Sequence, residues 1–245
     1  MCTLAVAFRV DARWPVVVAA NRDERRDRPW EDWGLRQRPG SPPSLAPRDL
    51  VGGGTWIGVN ARGVFSGITN YHVPSTSGPD PSRRSRGELV SLALARASAE
   101  EARAALAGVE AHAYNPFHLL VADAGSAFLW WYDGESAEVE PLAPGLHVVT
   151  ENSPFGRCPR GEWLRGRWPL DPSPAGLREL LSVHGPDPFA RTCIHLDPVY
   201  GTRSTAVVRL ARSLEVSELY ATRGPPCVSP FEDRSDLVAS LSRAA

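Results

Sequence analysis

The sequence predicts an α+β sandwich of mainly antiparallel sheets with helices on the outside. Three observations carry this. Short apolar runs bounded by turn residues crowd both ends of the chain. Convincing helical periodicity is confined to the middle. No linker, fixed-period repeat or charge block divides the 245 residues, so 1–245 reads as a single domain.

In chain order, Thr3–Val10 is apolar and β-compatible, Asp11–Trp14 turns, and Pro15–Ala20 is a second apolar run. Both runs are almost continuously apolar, which predicts a hairpin covered on both faces. Pro39–Pro47 reads as a loop. Thr55–Val59 and Val64–Thr69 flank Asn60-Ala61-Arg62-Gly63, a good turn sequence, and predict a second hairpin. His72–Ser85 is rich in Pro, Ser and Arg and reads as a mobile loop. Ser85–Leu106 is the main helical region, with Ser98-Ala99-Glu100-Glu101 placed to restart the helix through a fresh N-cap. Strands are expected again at Phe117–Ala122, Ala127–Tyr132 and Leu146–Thr150. Helices are expected at Gly161–Arg167 and Ala175–Val183, and a last hairpin at Thr205–Leu210 and Glu215–Tyr220.

Composition narrows the function. Hydrophobic residues make up 42% and charged residues 22%, as in ordinary globular proteins. The basic residues, all Arg, number 27 against 28 acidic ones. A net charge of -1 argues against nucleic acid as a partner, because a polyanion needs a basic face. No stretch approaches the ~20 apolar residues of a membrane span. The N-terminus has Arg9 and no long apolar run, so it does not read as a signal peptide. Cys2, Cys158, Cys193 and Cys227 are far apart without a CxxC pair, and predict neither a disulfide framework nor a zinc site. A reducing cytoplasm is the expected compartment.

The residues that carry chemistry start with Cys2. Removal of Met1 would leave a leading residue with both a thiol and a free α-amine, a nucleophile and its base in one residue. The ordinary alternative is a Cys at a fraying terminus, against which the strand that follows at once argues. Asn21-Arg22-Asp23-Glu24 ends the second apolar run, where a hairpin partner would lie beside Cys2. An Arg there favours thiolate and a carboxylate holds the amine; otherwise the segment is a surface charge cluster. Asn70 and Asn152 follow predicted strands and are either turn formers or amide donors to an oxyanion. Arg203 enters a late strand behind Gly201, either in a turn or as a buried guanidinium that lowers the thiol pKa.

Weaker signals stay with the fold. Gly52-Gly53-Gly54 lacks dinucleotide or P-loop spacing and reads as a tight turn. Cys193 and His195 would share a strand face, where core packing is expected over a metal or thiol–His pair. Cys158-Pro159 matches a dipeptide of some haem-responsive proteins but arises readily by chance. Trp30, Trp33, Trp56, Trp130 and Trp131 read as core or as the wall of an apolar pocket.

Together, Met1-Cys2, Ala20-Asn21-Arg22-Asp23-Glu24, Gly53-Gly54-Thr55-Trp56-Ile57-Gly58, Thr69-Asn70-Tyr71 and Tyr200-Gly201-Thr202-Arg203-Ser204 resemble the NRDE family, the transport-and-Golgi-organisation homologues. That family is similar to N-terminal-nucleophile hydrolases of the choloylglycine hydrolase and penicillin acylase branch. The resemblance implies a four-layer αββα sandwich and a cysteine amidase acting on a linear C–N amide of a small acylated substrate. It implies Cys2 as nucleophile, Asp23 orienting its amine, Asn70 and Asn152 holding the oxyanion, and Arg203 stabilising thiolate. Asn21, Arg22, Trp56 and Tyr71 fall on the substrate side. No cofactor or metal is required. The pattern departs at Ala20, where the branch has Arg, at Asn70, which is one residue later than in the branch, and at Glu151, where Asn152 is preceded by a residue the branch lacks. The alternative that the resemblance implies is a non-enzymatic carrier of haem, lipid or acyl-CoA on the same scaffold.

Overall fold

The computed structural model describes residues 2–73, 78–187 and 189–243. Met1 and residues 74–77, within the loop expected over His72–Ser85, lie outside the described residues. The first half of the chain contains β1 (Cys2–Phe8), β2 (Val16–Arg25), β3 (Trp30–Arg36), β4 (Ser44–Asp49), β5 (Ile57–Asn60), β6 (Phe65–Asn70), α1 (Gly87–Leu94) and α2 (Ala99–Leu106). Next come β7 (Phe117–Ala122), β8 (Ala127–Tyr132), β9 (Ala137–Pro141), β10 (Gly145–Thr150), α3 (Pro159–Arg165) and α4 (Pro174–Leu181). The chain closes with β11 (His195–Leu196), β12 (Tyr200–Leu210), β13 (Glu218–Thr222), β14 (Glu232–Asp233) and α5 (Ser235–Arg243).

The strands form two antiparallel sheets. One runs β10-β1-β2-β12-β13-β14, with β11 paired to β12; the other is a meander from β3 to β9 in sequence order. Along β1, Leu4, Val6 and Phe8 point into the inter-sheet core with Val18, Phe65, Leu120 and Val208. The intervening Ala5 and Ala7 meet Leu164, Leu177 and Leu181 of α3 and α4. This alternation explains why the opening runs are apolar throughout: both faces are covered, and small residues sit where helices approach. On the other side, Leu89, Val90 and Leu106 of α1 and α2 cover Phe117, Leu119 and Trp130 of the meander. The layers are therefore α, β, β and α, as expected.

Local chemistry fixes the joints. The Ser98 hydroxyl accepts from the Glu101 N–H at 3.1 Å, and the Glu101 carboxylate accepts from the Ala97 N–H at 3.0 Å. This reciprocal cap splits the helical stretch into α1 and α2. In the β5–β6 turn, Asn60 Oδ1 accepts from the N–H groups of Arg62 and Val64, and Gly63 takes a φ of 76° that disfavours other residues.

Several boundaries differ from the sequence expectation. β4 begins inside the expected Pro39–Pro47 loop. β3 and β9 were not anticipated. β3 buries only Trp33, and most of β9 is exposed, so neither shows an apolar run. Glu215 belongs to a 3₁₀ turn, and β13 starts at Glu218. α5 adds Val238 and Leu241 to the inter-sheet core. The main correction concerns β2, which runs to Arg25. Asn21-Arg22-Asp23-Glu24 lies inside the strand because it is paired on both edges, Cys2↔Arg22 with β1 and Asp23↔Thr202 with β12. Among the described residues, no helix is long and apolar enough to cross a membrane.

Candidate active site

Cys2 continues the inward-facing series of Leu4 and Val6, and Arg22 continues that of Val18 and Ala20. Both line a narrow crevice with Trp33, Trp56, Ile57 and Thr69. The Arg22 guanidinium stacks 4.2 Å from the centre of the Trp56 ring, and Trp56 meets Trp30 edge-on at 5.6 Å. Arg22 is 5% exposed, with Nη2 3.6 Å from Glu24 Oε2. Its Nη1 has no hydrogen-bond partner among the described residues. A buried, unmatched cationic donor in a crevice is a site for developing negative charge.

Burial pushes the Cys2 thiol up and the Asp23 charge adds to this, while a hydrogen bond from the Asp23 N–H and the charge of Arg22 pull it down. Arg22 is itself lowered by burial, with Cys2 opposing. A second guanidinium, Arg86, donates to the Pro116 carbonyl at 2.9 Å. Burial pushes Arg86 down to about 10, and Cys2 again opposes the shift.

The opposite face of β2 is dense with hydrogen bonds. Asn21 Nδ2 donates to the carbonyls of Leu181 (2.9 Å) and Thr192 (2.8 Å), and its Oδ1 accepts from the Thr205 hydroxyl at 2.6 Å. Asp23 Oδ1 accepts from the Thr202 hydroxyl at 2.6 Å, and the Asp23 carbonyl from the Tyr200 hydroxyl at 2.7 Å. Burial pushes the Asp23 carboxyl up to about 7, against the pull of Arg160 and the Thr202 hydrogen bond. Arg160 is 2% exposed. It bonds Glu151 Oε2 at 3.1 Å, Thr3 Oγ1 at 3.2 Å and the Phe189 carbonyl at 3.1 Å. Gly201 permits the close approach of β11: a Cβ there would lie 2.6 Å from the Ile194 carbonyl oxygen.

Of the residues singled out in the sequence, the structure gathers Cys2, Arg22, Asp23 and Trp56. Asn21 also borders the crevice, and its amide is fully engaged as a tie from β2 to the end of α4 and to Thr192 and Thr205. Arg203 occupies the irregularity between Thr202 and Ser204 in the β2–β12 pairing. It donates to the Arg25 carbonyl at 3.2 Å, and its charged neighbours are Arg26, Glu24 and Asp27. The charge of Arg22, read from the sequence as a thiolate-favouring Arg, acts on the thiol, whereas Arg203, given that role by the resemblance, sits among Arg26, Glu24 and Asp27. Asn70 is exposed at the end of β6. Asn152 is exposed in the turn after β10, its amide on Glu151 at 3.2 Å. The Tyr71 ring lies 4.2 Å from that of His118, a fully buried imidazole in contact with the Thr69 hydroxyl at 3.1 Å. Burial pushes His118 down to about 3, which keeps it neutral.

Sequence reasoning missed Arg160, Arg86 and His118, and marked Glu151 only as a departure from the family pattern. Thr202 lay inside a recognised motif without being singled out, and Arg160 followed Cys158-Pro159. No local pattern marked the others.

The sequence profile described as Transport and Golgi organisation 2 matches residues 1–168. The chain belongs to this family. It is 30% identical over 245 aligned residues to the Transport and Golgi organization protein 2 homolog of Bos taurus, an alignment spanning 83% of this chain and 87% of the relative. Among solved structures, it resembles penicillin V acylase from Agrobacterium tumefaciens, with a TM-score of 0.58 and 16% identity over 100% of this chain and 89% of that one. It also resembles the Caenorhabditis elegans ortholog of N-acylethanolamine-hydrolyzing acid amidase, with a TM-score of 0.55 and 16% identity over 85% and 92% of the two chains. At these identities the likeness shows a shared N-terminal-nucleophile hydrolase fold.

Proposed function

We propose that this chain is an N-terminal cysteine hydrolase that cleaves the linear C–N amide bond of a small acylated substrate. The observation that carries the reading is the position of Cys2. It is the first residue of β1, lining the crevice with Arg22, where the Asp23 N–H bonds its thiol and the Arg22 charge favours thiolate. The named substrates of the two structural neighbours, penicillin V and N-acylethanolamines, each join an acyl group to an amine.

In this reading, loss of Met1 frees the α-amine of Cys2. The amine takes the thiol proton, and Sγ attacks the carbonyl carbon. Negative charge develops on the carbonyl oxygen, and the free Nη1 donor of Arg22 stabilises it. The C–N bond then breaks as the α-ammonium returns its proton to the leaving amine. Water cleaves the resulting thioester, which releases the acid and regenerates the thiol. Asp23 holds the α-ammonium, and Thr202 and Arg160 fix Asp23. Leu4, Ala20, Ile57 and Ala206 give the crevice an apolar wall for the acyl chain.

The test is hydrolysis of N-acyl amides of varied chain length by the processed wild type and by Cys2→Ala. Turnover is expected from the wild type alone. The same apolar wall suits a second reading, a carrier that holds an acyl chain or haem without turnover. It is favoured if neither protein hydrolyses any amide while both bind a fatty acyl probe, or shift the Soret band of added haem, with equal affinity.

A further inference from the structure

A cluster of cysteine and histidine side chains beside β11 has no part in the reaction above. Cys193 and His195 are two residues apart, so both side chains leave the same face of an extended segment. Cys193 Sγ lies 3.4 Å from His195 Nε2 and 3.7 Å from Cys227 Sγ. His195 Nε2 lies 3.3 Å from Cys227 Sγ. The His184 ring stands edge-on to His195, with centroids 5.3 Å apart. Ligand atoms of His184, His195 and Cys227 all lie within 4.8 Å of one another.

Zinc binds thiolate sulfur at about 2.3 Å and imidazole nitrogen at about 2.0–2.1 Å. In a tetrahedron, those bonds give S···S edges of ~3.8 Å and S···N edges of ~3.5 Å. The three edges among Cys193, His195 and Cys227 have these lengths within a few tenths of an ångström. The cysteines are free, and a disulfide would bring their sulfurs to about 2.05 Å. Two thiols and two imidazoles are a borderline-soft donor set that selects zinc over magnesium or calcium. Cys193 is buried, His195 and Cys227 are half-buried, and His184 is exposed, so the cluster opens to solvent on the His184 side.

We propose that Cys193, His195, Cys227 and His184 form a tetrahedral zinc site, with His184 rotating in as the fourth ligand. The ligands come from the segment after α4, from the start of β11 and the residue two before it, and from the loop after β13, which is why no CxxC spacing announced them.

The position gives the site a structural role. Thr192, next to Cys193, accepts from Asn21 through its carbonyl at 2.8 Å. Ile194 donates its N–H to Thr202 Oγ1 at 2.8 Å and accepts from the Thr202 N–H at 2.8 Å. Thr202 in turn donates to Asp23. A cation bridging Cys193 and His195 to Cys227 braces the segment that holds the outer face of β2.

The test uses the full chain, stripped with a chelator under reducing conditions and titrated with Zn²⁺ or Co²⁺ alone. One equivalent of zinc by atomic absorption is expected, with a higher melting temperature. The cobalt form should show tetrahedral ligand-field bands and a sulfur-to-cobalt charge-transfer band. Losing an outer-shell partner weakens metal sites by about 10–100-fold, so Cys227→Ser and the exposed His184→Ala should each weaken Zn²⁺ binding by at least about tenfold. Far-UV circular dichroism confirms that each variant is folded. Two results would overturn the proposal: no stoichiometric binding by the folded, reduced protein, or wild-type Zn²⁺ affinity in either folded variant. None of these readouts depends on amide hydrolysis.

Discussion

Arg22 and Asp23 are adjacent on one strand, yet their surroundings differ sharply. Around Asp23, the face of β2 toward α3 and α4 is dense with hydrogen bonds: Asn21, Thr202, Thr205, Thr3, Arg160 and Glu151 are tied at 2.6–3.2 Å, with Arg160 Nη2 left without a hydrogen-bond partner among the described residues. Around Arg22, the inter-sheet face offers an aromatic ring, a carboxylate at 3.6 Å and a donor with no partner among the described residues. One face is built to hold still and the other to receive a ligand. The difference teaches that the family tetrapeptide serves two purposes through strand alternation alone.

The strongest blow to the hydrogen-bonded face is Glu151→Gln, which removes the carboxylate paired with the buried Arg160 guanidinium. A loss of about 3–5 kcal/mol is expected in urea unfolding. A loss below about 1 kcal/mol, the range of exposed pairs, would mean that this face is not the rigid one.

Asp23→Asn sharpens the contrast through pH. The folded-state carboxyl is raised from 3.8 to about 7, so burying it ionised is unfavourable. Its contribution to stability is fully present below pH ~4 and is lost as pH rises through about 7. The variant should therefore be more stable than wild type by up to about 4 kcal/mol at pH 8, at ~1.4 kcal/mol per pH unit between the two values. The advantage should vanish near pH 4. Equal stability at pH 8, in urea titrations of both proteins, would contradict it. Hydrolysis should fall in the variant, and in the wild type as pH drops below about 7.

On the receptive face, Arg22→Met should lower kcat/KM by about 10²-fold, as removal of an oxyanion donor does. Stability should change by less than about 1–2 kcal/mol, because the lost ring contact is offset by removing an unmatched buried donor. A large stability loss with intact kinetics would reverse the assignment. The smallest effects belong to the exposed Asn70→Ala and Asn152→Ala, within about ±0.5 kcal/mol of wild-type stability. A hundredfold loss of turnover in either would restore the oxyanion role that the resemblance implies.

Much of the architecture was legible. Leu4, Val6, Val18 and Val208 advertise buried strands by composition, and Ser98 with Glu101 advertises the break between α1 and α2. β3 and β9 were illegible because strands with few buried positions show no apolar run. The charged tetrapeptide looked like a strand end because nothing local indicates that Thr202 and Arg160, more than a hundred residues away, satisfy it. Cys2, Asp23 and Arg22 were readable as a group through the motif. The seat of Arg203 against the Arg25 carbonyl was not, since it depends on a pairing irregularity at Thr202–Ser204 that leaves no sequence mark.

The most direct measurement is intact-mass spectrometry of the purified folded chain after brief treatment with an electrophilic amide analogue, with peptide mapping. The expected result is a chain lacking Met1 that carries a single adduct on Cys2, and no such adduct after Cys2→Ala. A chain that keeps Met1, or a processed chain whose Cys2 stays unlabelled while Cys158 or Cys227 reacts, would contradict the assignment of Cys2 as the nucleophile.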